Sequence, residues 1–221
     1  MKLGILFGGG LDSTATAVLL KQAGHQVSLI HMVYGQKAAQ AERKAAFDVS
    51  LHLGCNLYCN EANIHLTGEQ PIMGSAEAIA TSQATAKLDG RNLMLLGMAA
   101  PTLISAGIEV GVFGLHQEPE GTPMVDALPS FISAVNGMLS RAVSATFRTA
   151  APFSSVPRHE LIWTAHTYLP NIFDIAHTCY ENVAGGCGQC SHCVQKAQML
   201  NVSLDETKFS ADEILALASN I

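Results

Sequence analysis

The chain has 221 residues, 48% of them apolar and 14% charged, with a formal net charge of −6. That length suits one domain with a substantial core and excludes a small disulfide scaffold; the composition excludes a disordered chain. The acidic balance and scattered basic residues argue against a track along a nucleic-acid backbone.

Taken in chain order, Leu3 to Phe7 is a short apolar run that reads as a buried strand. It meets Gly8, Gly9 and Gly10, then Asp12-Ser13-Thr14, then a helix to about Ala23. Glycines let an anion approach the backbone, and Asp12 or Ser13 is expected to cap the helix, whose free N–H groups face the turn. Strand, turn and helix N-terminus form a cradle for phosphate or pyrophosphate. Neither Gly-x-x-x-x-Gly-Lys-Ser/Thr nor Gly-x-Gly-x-x-Gly is present here. Val27 to Val33 is a second strand, Gln36 to Leu53 a helix, and Asn56 to Cys59 a short third strand. Gly68 to Thr85 reads as a mobile loop near the site. Gly90-Arg91-Asn92 opens a helix to Ser105, and Glu109 to Gly114 is a fourth strand. His116 to Pro123 is a polar loop, Leu128 to Ala145 a helix, Phe147 to Ala150 a fifth strand and Arg158 to Thr167 another helix. A cysteine-rich tail and a last helix, Ala211 to Ser219, complete the chain.

Strands alternating with helices predict an α/β fold, a parallel five-stranded sheet covered on both faces. Ligands in such sheets bind beyond the carboxyl ends of the strands, so the turns after strands one, two, four and five should share one pocket. The expected division is residues 1–170 as the ligand-binding domain, with 171–221 as a cysteine-rich, helical region packed on it. No apolar stretch reaches membrane-spanning length. Met1-Lys2-Leu3 enters a strand directly without a signal-peptide layout, so a cytoplasmic protein is expected. There the six cysteines point to metal or catalysis before disulfides.

Cys179, Cys187, Cys190 and Cys193 make two Cys-x-x-Cys steps that share Cys190. Four thiolates so spaced can wrap one tetrahedral ion, with Gly185, Gly186 and Gly188 permitting the turns, and zinc suits such a closed site. His177 and His192 lie close enough to replace a cysteine. A cysteine-ligated iron–sulfur cluster and a redox dithiol use similar spacing. Cys55 and Cys59 read as small apolar residues.

The first segment resembles the PP-loop of the N-type ATP pyrophosphatases, Ser-Gly-Gly-x-Asp-Ser-Thr/Ser, with Gly8 at the serine. Joined to the cysteine tail, it resembles one family nearly end to end: QueC, the 7-cyano-7-deazaguanine synthases. His31-x-x-Tyr34-Gly35-Gln36-Lys37, Gly90-Arg91-Asn92-Leu93 and Thr178-Cys179-Tyr180 carry the likeness between the two ends. Val156-Pro157-Arg158-His159-Glu160 stands where the family has Lys-x-Glu, with Arg158 at the lysine. After strand four the family's Tyr-Pro-Asp-Cys-Arg-like segment is replaced by residues that keep Asp126 and have Leu128 at the arginine.

The resemblance implies an ATP-dependent ligase of the queuosine pathway. It would convert 7-carboxy-7-deazaguanine and ammonium to the nitrile, through an acyl-adenylate and an amide, with ATP, Mg²⁺ and Zn²⁺. It implies that Phe7, Gly8, Gly9, Gly10, Leu11, Asp12, Ser13, Thr14, His31 and Gly97 hold ATP. Asp12, Ser13, Lys37, Arg91 and Arg158 would serve catalysis, and Arg91, Asn92, Gly114, His116 and Asp126 the deazapurine. Cys179, Cys187, Cys190 and Cys193 would hold zinc. Homodimers are common in the family. The altered strand-four segment keeps open a related ligase that joins the activated carboxylate to another amine, such as one on a protein partner, and Gly8 keeps open a nucleotide-binding module without catalysis.

Overall fold

The computed structural model describes residues 1–64, 73, 88–117, 125–143, 146–199 and 208–221. Five strands, β1 (Lys2–Leu6), β2 (Gln26–Val33), β3 (Asn56–Glu61), β4 (Val110–Phe113) and β5 (Arg148–Ala150), form one sheet in the order β3-β2-β1-β4-β5. All four pairings are parallel, as the alternation of strands and helices predicts. The expected segment Gly68 to Thr85 lies outside the described residues except for buried Met73, which pairs with Gln36 in an isolated bridge.

Side chains alternate along each strand, so both faces of the sheet carry apolar residues. Leu3, Ile5, Phe7 and Leu29 pack with α1 (Leu11–Gln22), α2 (Ala39–Leu53), α5 (Arg158–Tyr168), α6 (Ile172–Ile175) and α8 (Ala211–Ser219). Leu6, Ile30, Met32 and Phe113 pack with α3 (Arg91–Ser105) and α4 (Pro129–Ala142). Gly4 makes the second layer possible, because a Cβ there would stand 2.4 Å from Leu103 Cδ2. α3 therefore lies directly on the middle of the sheet.

Several element ends differ from expectation for local reasons. β3 runs to Glu61, two residues past Cys59, because its ladder with β2 continues through Val33. The helix expected from Gln36 begins at Ala39, since Gln36 turns inward: its side-chain oxygen accepts from Tyr34 N–H at 2.8 Å and its amide donates to the Met32 carbonyl at 3.0 Å. β5 starts at Arg148, and Phe147 is buried in the layer below, its ring 3.0 Å from where a Gly111 Cβ would be. α4 is a residue shorter at its start and ends at Ala142. α6 and α7 (Ser191–Met199) were not anticipated: one is a single turn, and the other starts inside the cysteine motif.

The last helix belongs to the main core, with Ile214 and Ala218 fully buried beside β1 residues. Its start carries a capping box: Ser210 accepts from Glu213 N–H, and Glu213 accepts from Ser210 N–H. Glu160, 2% exposed on α5, holds this segment down by accepting from Lys208 N–H at 2.7 Å and Phe209 N–H at 2.9 Å. Its place in the Arg158-His159-Glu160 run thus has a structural role. Removing a buried acceptor strands its donors at about 1–3 kcal/mol each. Glu160→Ala is expected to lower unfolding stability by about 2–4 kcal/mol, with Glu160→Gln losing less, read by urea denaturation.

Candidate functional site

Strand order reverses on either side of β1, so the turns after β1 and β4 diverge and leave a crevice at their carboxyl ends. A cavity of about 720 Å³ occupies it, with Phe7, Gly8, Gly10, Leu11, Asp12 and Ser13 on one side. The N-cap of α1 is Gly10, and no side chain caps it. This corrects the expected Asp12 or Ser13 cap: Ser13 Oγ instead donates back to the Gly10 carbonyl at 3.3 Å. The first N–H groups of α1 are thereby left to an incoming anion.

The turn is closed by main chain from three directions. Gly9 has φ +78°, and a Cβ would lie 2.9 Å from the Glu42 carbonyl oxygen. The Gly9 carbonyl accepts from His177 N–H at 2.8 Å. Gly114, at the end of β4, leaves 3.0 Å between an added Cβ and Ser13 Cα. Gly8 has nothing within 4 Å of that position, so the open side of the turn is at Gly8.

Asp12 does not stand free at the cradle. Arg158 donates from Nε to Asp12 Oδ1 at 2.6 Å and from Nη2 to Oδ2 at 3.0 Å, a bidentate pair. Arg158 Nη1 donates to Gln195 Oε1 on α7 at 2.7 Å, and His116 Nε2 lies 3.7 Å from Asp12 Oδ1. Burial would raise the Asp12 pKa, but the Arg158 guanidinium and the His116 ring outweigh it and hold the carboxyl below its ordinary 3.8. A carboxyl depressed in the folded state stabilises the fold above its unfolded pKa, and that contribution fades as pH falls through the folded value.

Opposite, Arg91 and Asn92 open α3 and line the cavity with Tyr34, Gln36 and Glu42. Tyr34 is pushed up to about 12, chiefly by burial, against the opposing effect of Arg91. Gln36 Nε2 donates to Glu42 Oε2 at 2.8 Å, and burial raises the Glu42 pKa against the pull of Gln36 and Arg91. Asp126, in a short 3₁₀ turn (Val125–Ala127), accepts from Asn92 N–H at 3.1 Å, while Asn92 Nδ2 donates to the Asp126 carbonyl at 2.9 Å. Asp126 is spent on the start of α3, and its neighbour Ala127 lines the cavity instead.

Gly114 and His116 line the cavity, whereas Gly9, Thr14, His31, Lys37 and Gly97 lie outside its lining. His31 is 1% exposed; its Nδ1 donates to the Phe7 carbonyl at 3.0 Å, and burial lowers its pKa, so the ring is neutral and braces the cradle from behind. Lys37 Nζ pairs with Glu181 at 3.8 Å. Gly97 sits within α3. Tyr34 lines the cavity within the turn after β2, which sequence reasoning places at the pocket; that reasoning missed Glu42, Tyr180 and Gln195 as lining residues and assigned His177 and His192 only as spare ligands. The Tyr180 hydroxyl lies 2.9 Å from His192 Nε2, and His192 Nδ1 is 3.2 Å from the Thr178 carbonyl.

Cys179 lines the same cavity, and behind it the sulfurs of Cys179, Cys187, Cys190 and Cys193 lie within 4.8 Å of one another. Four sulfurs at about 2.3 Å from a tetrahedral zinc stand about 3.8 Å apart, and Cys190 Sγ is 3.9 Å from Cys179 Sγ. Glu181 and Cys187 N–H groups donate to Cys179 Sγ at 3.3 Å each, and Cys190 N–H to Cys187 Sγ at 3.3 Å, donors that suit thiolates. The donor set fits a closed, all-sulfur metal site. Cys55 and Cys59 lie apart from it.

Residues 2–203 match the family model described as Queuosine biosynthesis protein QueC. The chain belongs to the QueC family. Among its curated relatives, a 7-cyano-7-deazaguanine synthase of Methanothrix thermoacetophila is 28% identical over 200 residues, 85% of this chain and 88% of that protein. One of Pyrococcus horikoshii is 26% identical over 231 residues, covering 94% and 96%. One of Campylobacter concisus is 23% identical over 200 residues, covering 85% and 88%. A solved 4-thiouridine synthetase–RNA complex with bound ATP aligns at 12% identity and TM-score 0.48, over 99% of this chain and 53% of that chain. Among the described residues no helix is long and apolar enough to cross a membrane.

Two outcomes follow from this geometry. Asp12→Asn is expected to lower thermal stability at neutral pH, the gap to wild type closing as pH falls below about 3.8, read from melting curves across pH. Cys190→Ser is expected to drop the bound metal from one equivalent per chain to about a tenth or less, read by elemental analysis of the purified protein.

Proposed function

We propose that the chain makes 7-cyano-7-deazaguanine, the product its relatives' name gives, from 7-carboxy-7-deazaguanine and ammonium at the expense of ATP. The observation that carries this reading is the convergence, in one cavity, of the uncapped α1 N-terminus with two guanidinium groups, Arg158 and Arg91. Forming an acyl-adenylate brings a carboxylate against a polyanion, so positive charge and aligned donors must offset the repulsion. The cradle at Gly8, Gly10 and Leu11 suits the leaving pyrophosphate. Arg158, held at Asp12, suits the phosphates, and Arg91, beside Asn92, suits the substrate carboxylate or the α-phosphate.

Mg²⁺ accompanies ATP and lowers the charge the protein must offset. Among the described residues the carboxylates at the cavity are Asp12, paired with Arg158, and Glu42, bonded to Gln36. An Mg²⁺ here would be held mainly by phosphate oxygens, with Asp12 the nearest protein ligand to the cradle. The four cysteines suit zinc in a structural role, fixing the segment that carries Tyr180 and His192 into the cavity wall.

A second reading is supported by Asp126. Its carboxylate accepts from Asn92 N–H at the start of α3 and does not line the cavity, which leaves that side of the pocket without it. In that reading the activated carboxylate is joined to another amine, such as one on a protein partner.

Mass spectrometry of protein with Mg-ATP and the carboxylate, with and without ammonium, decides between them. Nitrile formed only with ammonium is the expected result; adenylate that ammonium never carries to amide or nitrile would favour the second reading. Arg158→Ala is expected to slow carboxylate-dependent pyrophosphate release about 10²–10³-fold. Arg158→Lys, which keeps the charge but loses the fork, is expected to fall about tenfold.

A further inference from the structure

Glu42 is a half-buried acidic group at the cavity wall that adenylation does not use. Its backbone is wedged against the glycine turn, with its carbonyl 2.9 Å from the Cβ position that Gly9 leaves empty. That fixes the start of α2 against the glycine turn. Its side chain is oriented by Gln36, whose amide is fully committed: Oε1 accepts from Tyr34 N–H, and Nε2 donates to the Met32 carbonyl and to Glu42 Oε2. The Gln36 amide holds one carboxylate oxygen, Oε2, on a side chain that lines the cavity. Glu42 takes no part in capping α2, whose N-cap, Ala38, has no side-chain bond. Asp12, the other carboxylate that lines the cavity among the described residues, has both oxygens on Arg158.

An acyl-adenylate in this cavity needs a nitrogen nucleophile, and ammonium at neutral pH is almost entirely protonated and cannot attack. Resting on the synthase reading, we infer that Glu42, oriented by Gln36, is the binding site for ammonium and the base that takes its proton. One N–H proton passes to the Glu42 carboxylate, and the released nitrogen lone pair forms the C–N bond to the acyl carbon. The acyl C–O bond breaks with its electron pair going to AMP, and the second proton lost from nitrogen leaves to water. Amide and AMP are the products, with charge balanced. Arg91, the cation facing Glu42, is offset by the adenylate phosphate once the intermediate is present. Burial raises the Glu42 pKa, which strengthens it as a base while the pull of Arg91 and Gln36 opposes protonation.

Hydroxylamine separates the steps, because it is uncharged at neutral pH and attacks acyl-adenylates without prior loss of a proton. With Mg-ATP and 7-carboxy-7-deazaguanine, Glu42→Gln is expected to lose about 100-fold in ammonium-dependent amide formation, with a raised ammonium KM. Its hydroxamate formation should fall far less. Glu42→Asp should restore part of the ammonium reaction, and it serves as the test should the glutamine variant not fold. An unchanged ratio of the ammonium to the hydroxylamine reaction in the folded variant overturns the inference and leaves the synthase reading standing. Failure of the wild type to release pyrophosphate in the presence of the carboxylate overturns both.

Discussion

The close approach of main chain around Gly9 is the constraint on which the site depends. A peptide turn can present a row of N–H groups to an anion only if nothing covers it and something holds it rigid. Here the second requirement is met from behind: the Glu42 carbonyl, the His177 N–H and the Ser13–Gly114 contact all press on the turn where side chains are missing. Any Cβ at Gly9 would meet backbone, which cannot swing aside as a flexible side chain would. β1 and β4 are parallel neighbours in the sheet centre, so the sheet itself fixes one of the three supports, the Ser13–Gly114 contact.

The second organising element is the chain of contacts that begins at Asp12. Arg158 joins the first helix to α5 and, through Gln195, to α7, which starts within the cysteine motif. A metal bound by the four sulfurs would order the segment that sets both Gln195 and His192. The role of such a metal is then structural: it would fix the far end of an arginine whose near end is paired with Asp12 beside the glycine turn. The same arrangement explains how an arginine can stand where the family has a lysine. A guanidinium can satisfy Asp12 with two nitrogens and Gln195 with a third, which a single ammonium cannot do in one plane.

Much of this was legible in the sequence. The apolar runs ending in glycine, the alternation of strands and helices, and the spacing of the four cysteines gave the parallel sheet, the position of the cradle and the metal-competent cluster. These are local patterns, read from one stretch at a time. What was not legible depends on where distant segments meet. Gln36 looked like the first residue of a helix, yet its side chain bonds the strand before it and thereby exposes Glu42 to the cavity. Asp126 looked like a group for reading a base, yet the turn places it on Asn92 N–H. His31 sits next to a motif residue and still ends 1% exposed behind the cradle.

These differences share a cause. A polar side chain near a helix start has two competing uses, satisfying an orphan backbone group or meeting a ligand, and sequence cannot tell which geometry wins. In this chain the backbone claims Asp126, Gln36 and His31, and the ion pair claims Asp12. Among the described residues Glu42 is a charged group at the cavity whose orientation is set by a neighbour already bonded on its other side. A carboxylate so held can face a cation but cannot easily turn away from it. That rigidity is what a site for a small, strongly hydrated ion needs, because an ion without shape can be selected only by charge placed where water is excluded.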